Sequence, residues 1–98
     1  MTKSIAMGLG LAVAMTICGA AFAQDASQLA QSKGCMSCHD VSQPKMGPSF
    51  QSIAARYKGQ ADAPAKLVGE LKSGNGHMKV DATDAELQQL VAYVLSAQ

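Results

Sequence analysis

Cys35-Met36-Ser37-Cys38-His39 is the stretch on which the reading of this chain turns. Two thiols three positions apart, followed at once by an imidazole, suit one task closely. Each cysteine can form a thioether to the same edge of a porphyrin, and the adjoining histidine can swing beneath the ring as an axial ligand to its iron. The spacing predicts covalent attachment of one haem through Cys35 and Cys38, with His39 on the iron. Zinc would want a second ligand pair, and beyond this cluster the chain after residue 23 offers only His77. A thioredoxin-like dithiol would follow a strand in an alternating strand and helix pattern, and no strand pattern precedes Cys35.

Working upstream, Lys3 supplies a positive start, Ile5 to Ile17 is a mostly apolar run, and Ala21-Phe22-Ala23 ends it on small flanking residues. This is the layout of a secretory signal, and cleavage is expected before Gln24. The run is shorter than the roughly 20 residues that span a bilayer, which argues against stable membrane insertion. Cys18 follows the bulky Ile17, where lipoprotein signals carry a small residue, and is read as discarded with the signal.

Removing the first 23 of 98 residues leaves 75, one domain at most (24–98). A chain so short normally needs a disulfide, a metal or a cofactor to supplement its core. With Cys35 and Cys38 the only cysteines left there is no disulfide framework, so a haem would have to be that supplement. Subtracting Lys3 from the eight basic residues leaves seven against seven acidic ones. That balance gives no clustered charge for nucleic acid or for an anionic membrane surface. Lys66, Lys72 and Lys79 read as solvated surface charges rather than as a docking ring.

Downstream of the signal, four segments carry apolar or small residues at i, i+3, i+4 spacing, which predicts an all-α class. The first is expected from about Asp25, as N-cap, to Lys33, with Gly34 as a left-handed stop. Pro44, Gly47 and Pro48 forbid a helix between Asp40 and Ser49 and predict a loop folded around something. Phe50, Ile53, Ala54 and Tyr57 form a short helical face ended by Gly59. The next helix is expected from Asp62 or Ala63, with Pro64 in its first turn and Gly74 at its end, burying Leu67, Val68 and Leu71. Thr83-Asp84-Ala85-Glu86 is a capping box, and Leu87, Leu90, Val91, Val94 and Leu95 carry the last helix to about Ser96.

An iron ligated by His39 has one further axial position. Met36 lies inside the attachment motif, and Met46 sits seven residues past His39 on a loop expected to stay on the histidine side. The stretch from Gly74 to Ala82 is far enough downstream to cross the haem edge, and it holds both His77 and Met78. Gly74 and Gly76 give its turns freedom to aim a side chain. A thioether and an imidazole are both competent ligands, so the residues alone leave the two open.

Taken in order, Lys33 to His39, Lys45-Met46-Gly47-Pro48-Ser49-Phe50, the glycine-rich stretch ending at Met78, and Leu90 to Ser96 resemble the small bacterial class I cytochromes c. The resemblance covers essentially all of residues 24–98 and implies four short helices wrapped around one covalent haem c. It implies Met78 as the second axial ligand, and Pro48 as a carbonyl accepting a hydrogen bond from His39 Nδ1. Tyr93 is implied to pack where the first and last helices cross near Gly34. Gly76-His77-Met78-Lys79-Val80 departs from relatives that carry prolines around the ligand methionine. The function implied is a periplasmic carrier of single electrons, not an enzyme, docking transiently with redox protein donors and acceptors. Two other readings stand beside it. One is a fixed haem subunit of a periplasmic dehydrogenase or oxidase; the other, a haem enzyme or gas sensor, needs an open axial site.

Overall fold

A computed structural model of the protein describes Gly8, Gly10 and residues 19–98. Most of the expected apolar run, with Cys18, lies outside the described residues, whereas Ala21-Phe22-Ala23 and the expected cleavage point before Gln24 fall within the first helix. Four helices and no strands are present among those described: α1 (Gly19–Ser32), α2 (Phe50–Arg56), α3 (Ala63–Ser73) and α4 (Asp84–Leu95). Among the described residues one 3-10 turn, Cys35–Ser37, opens on the first thiol and is capped by the second, Cys38. None of these helices is long and apolar enough to cross a membrane.

The helix boundaries follow local chemistry. Ser49 caps α2, its side chain accepting from Ser52 N, and is itself buried. Helix α3 has Pro64 in its first turn and stops at Gly74, whose φ of 77° is left-handed and whose N–H donates to Glu70 O. The capping box of α4 is complete: Thr83 accepts from Glu86 N at 3.2 Å, and the Glu86 carboxylate accepts from Thr83 N at 3.0 Å.

One boundary differs from expectation. Helix α1 begins at Gly19, not at Asp25, so Asp25 lies inside a helix rather than capping it. The stretch Gly19-Ala20-Ala21-Phe22-Ala23-Gln24 contains no breaker after its first residue, and its alanines are the strongest helix formers, so the helix propagates upstream.

Helix α4 is the hub and packs against α1, α2 and α3. Ala30 of α1 with Leu87 and Leu90 of α4 forms the buried centre, and Leu29, Cys35, Val68, Leu71, Val80, Ala82 and Tyr93 close around it. Tyr93 meets Phe50 edge to face at 6.0 Å, joining α4 to α2. Leu67, Val68 and Leu71 are only half-buried, because the α3 face that carries Leu67 and Leu71 borders a cavity instead of closing on another helix.

Candidate functional site: a haem-binding cavity

Gly34 turns the chain sharply at the end of α1, with φ of 78°, and presents Cys35 and Cys38 on successive sides of the 3-10 turn. His39 N donates to Cys35 O at 3.0 Å, which fixes the imidazole beside the thiols. Both thiols are free and half-buried. Burial pushes the Cys35 thiol above its usual range, against an opposing hydrogen bond from its own backbone. Reactive dithiols and thiolate metal sites run the other way, with thiol acidity increased.

The loop from Asp40 to Ser49 folds back on this turn. Gly47 N donates to Cys38 O at 2.8 Å, Phe50 N to Asp40 O at 2.9 Å, and Lys45 Nζ to Met36 O at 3.0 Å. Asp40 organises the loop entrance, its Oδ2 accepting from Ser42 N and Gln43 N, and those bonds hold its carboxyl below the usual range. The result is a clamp on His39. Its Nδ1 lies 2.6 Å from Pro48 O, its ring stacks on Phe50 with centroids 5.5 Å apart, and Gly47 closes the side. With Nδ1–H donated to a carbonyl, Nε2 keeps its lone pair for a metal.

These groups form one wall of a cavity of about 430 Å³, within the range of cofactor sites. Its lining is predominantly apolar, with Ile53, Leu67, Leu71, Leu90, Val91 and Val94 contributed by α2, α3 and α4. The loop between α3 and α4 adds His77, Met78, Lys79, Val80 and Asp81. That loop is tied at both ends: Gly74 N donates to Glu70 O at 3.0 Å and Val80 N to Leu71 O at 2.9 Å. Lys33 Nζ reaches from the end of α1 to Asp81 O at 2.9 Å.

Of the four candidates for the second axial position, Met78 and His77 line the cavity, whereas Met36 and Met46 do not. Met78 is 71% exposed and sits at the rim, while His77 is half-buried with its ring centroid 6.0 Å from that of His39. Lys79 alone of the three lysines singled out in the sequence borders the cavity; Lys72 pairs with Asp84 at 2.9 Å and Lys66 lies over the Tyr57 ring.

The residues fit a haem on the evidence of their own arrangement. Two free thiols, a histidine with a committed Nδ1, and an apolar slot share one cavity, and the backbone approaches the histidine so closely that only glycine is accommodated at position 47. Phe50 and Gly47 were not picked out by sequence reasoning as partners of His39. The resemblance points to Pro48 as the partner of His39 Nδ1, whereas nothing in the sequence marks Gly47 as closing on the ring.

Comparison with known proteins agrees with the geometry. The cytochrome c family model matches residues 23–98. Cytochrome c-552 of Hydrogenobacter thermophilus is 37% identical over 93 residues, covering 88% of this chain and 93% of the relative. Cytochrome c-551 of Pseudomonas aeruginosa is 33% identical, covering 88% and 89%. Among solved structures, the class 1 cytochrome MtoD from Sideroxydans lithotrophicus superposes with a TM-score of 0.70 at 32% identity, covering 76% of this chain and 94% of that one. Wild-type cytochrome c552 of Nitrosomonas europaea gives a TM-score of 0.65 at 29% identity, covering 74% and 99%. The chain therefore belongs to the cytochrome c family, as a small class I member that carries one covalently attached haem c and serves electron transport.

Proposed function

We propose that this protein is a periplasmic shuttle for single electrons, that His39 and Met78 are the axial ligands of its haem iron, and that no substrate is transformed on it. When bound, the haem supplies an iron that gains and releases one electron. The chain's own residues set the conditions for that exchange. Cys35 and Cys38 anchor the group, Pro48 and Phe50 orient the His39 ring, and the apolar walls of α3 and α4 keep water from the iron. A Met78 thioether is a neutral, soft ligand that favours the ferrous state and raises the reduction potential. With both axial positions held by side chains, no open site remains for peroxide or gas chemistry.

The observation that carries this reading is that Cys35, Cys38, His39 and Met78 line a single cavity although the first and last lie 43 positions apart in the sequence. Periplasmic location rests on the signal-like segment 1–23, with cleavage before Gln24 leaving residues 24–98. The near-neutral balance of that remainder and the mixed rim of Lys33, Lys79, Glu70 and Asp81 suit brief docking with donor and acceptor proteins more than one permanent, charge-matched partner.

The test is export from a bacterial host competent in cytochrome c maturation, followed by intact-mass measurement and a redox-titrated absorption spectrum. The reading expects a chain starting at Gln24 plus one haem, a six-coordinate spectrum in both redox states, and purification without a larger subunit. Colourless material of bare polypeptide mass would refute the haem; co-purification with a dehydrogenase or oxidase would refute the free carrier.

A further inference from the structure

His77 is the cavity-lining imidazole that the proposed function leaves unused. Its ring lies 12° from parallel to that of His39, with centroids 6.0 Å apart. Two imidazoles that share one metal through nitrogen bonds of about 2.0 Å have centroids on the order of 6 Å apart. The two histidines are also prepared in the same way. His39 Nδ1 is engaged by Pro48 O at 2.6 Å, and His77 Nδ1 by Met78 O at 2.7 Å. In each ring the bond to a carbonyl makes Nδ1 the protonated nitrogen and leaves Nε2 as the lone-pair donor, the arrangement that metal-ligating histidines use.

The loop has the freedom to exchange one neighbour for the other. Gly74 and Gly76 hold φ of +77° and +87°, no proline lies between Gly74 and Ala82, and the far end is pinned by Val80 N to Leu71 O. Met78, at the rim and 71% exposed, can turn to solvent without leaving a hole in the core.

We propose that His77 is a standby axial ligand: when the Met78 sulfur leaves the haem iron, His77 Nε2 replaces it and the centre becomes bis-histidine. This rests on Met78 being the resident ligand. The step is a ligand substitution in which one iron–sulfur bond breaks and one iron–nitrogen bond forms, with no electron or proton transferred. Because two imidazoles favour ferric iron more than an imidazole and a thioether do, the standby state holds its electron less tightly.

The experiment uses the haem-loaded protein as wild type, Met78→Ala, and the double variant His77→Ala/Met78→Ala. Three readouts are followed: the weak sulfur-to-iron charge-transfer band of the ferric form, its electron paramagnetic resonance spectrum, and carbon monoxide uptake by the ferrous form. Wild type is expected to show the sulfur band. Met78→Ala should lose it yet remain low-spin with a bis-imidazole signal, and take up carbon monoxide at least tenfold more slowly than the double variant. The double variant should be high-spin and return to low-spin on addition of free imidazole, which shows that its cavity is intact. Met78→Ala as high-spin and as reactive as the double variant would overturn the standby role while leaving Met78 as ligand. A wild type without the sulfur band and already bis-imidazole would overturn the Met78 assignment itself, and with it the standby role.

Discussion

A Cβ placed on Gly47 would stand 2.5 Å from His39 Cε1 and 2.9 Å from its Nδ1. The obstacle is a ring held by Pro48 O on one side and Phe50 on another, so it has no free direction in which to yield. Gly47→Ala is expected to cost about 1–3 kcal/mol of stability, as overpacking of a fixed site does. Thermal melts of the haem-loaded protein would register it. A broadened or shifted spectrum would report the displaced imidazole.

Phe50 is 2% exposed and bridges His39 to Tyr93. Phe50→Ala should destabilise the protein by about 3–5 kcal/mol, the range for an emptied aromatic site. Phe50→Leu should recover much of the packing without the stacking on His39. Denaturant titration of both variants separates the two contributions.

The capping box of α4 predicts a pH dependence as well as a stability change. Thr83→Ala removes the bond to Glu86 N and is expected to cost about 1 kcal/mol. Glu86 has its carboxyl held below the usual range, first by the Thr83 backbone N–H, then by the Thr83 hydroxyl and the charge of Lys33. A carboxyl lowered by folding contributes stability above its ordinary value and loses that contribution as pH falls toward the folded one. Stability should therefore decline on acidification below the ordinary glutamate range, and Glu86→Gln should flatten that part of the curve. Melting temperature against pH for the two proteins measures it.

The proposed ligation expects Met78→Ala to lower the reduction potential, since a neutral soft donor would be lost. A fall of at least about 60 mV, tenfold in the equilibrium constant of a one-electron couple, is the expected scale. Spectroelectrochemistry gives the value. An unchanged potential would remove Met78 from the iron.

Much of the architecture was legible one element at a time. The attachment motif, the capping box at Thr83–Glu86, Pro64 in the first turn of α3 and the left-handed Gly34 and Gly74 all act within a few residues of themselves, so reading them requires no knowledge of neighbouring helices. The start of α1 was misplaced for the same reason. Asp25 has the chemistry of a cap, but an alanine-rich stretch ahead of it lets the helix run on to Gly19.

Sequence alone marked Cys35 and Cys38 as the expected points of haem attachment and determined the helical class, because the thioether spacing and the helical repeat are local properties of the chain. Tertiary structure decided what surrounds His39: that Phe50 stacks on its ring, that Gly47 closes against it, and that the His77 ring lies 6.0 Å away. Those relationships depend on the path of two loops fixed by hydrogen bonds such as Gly47 N to Cys38 O and Val80 N to Leu71 O. A glycine required because a ring lies against it has the same letter as a glycine required for a turn. Only the folded chain distinguishes them, since the distinction lies in what lies against the missing Cβ.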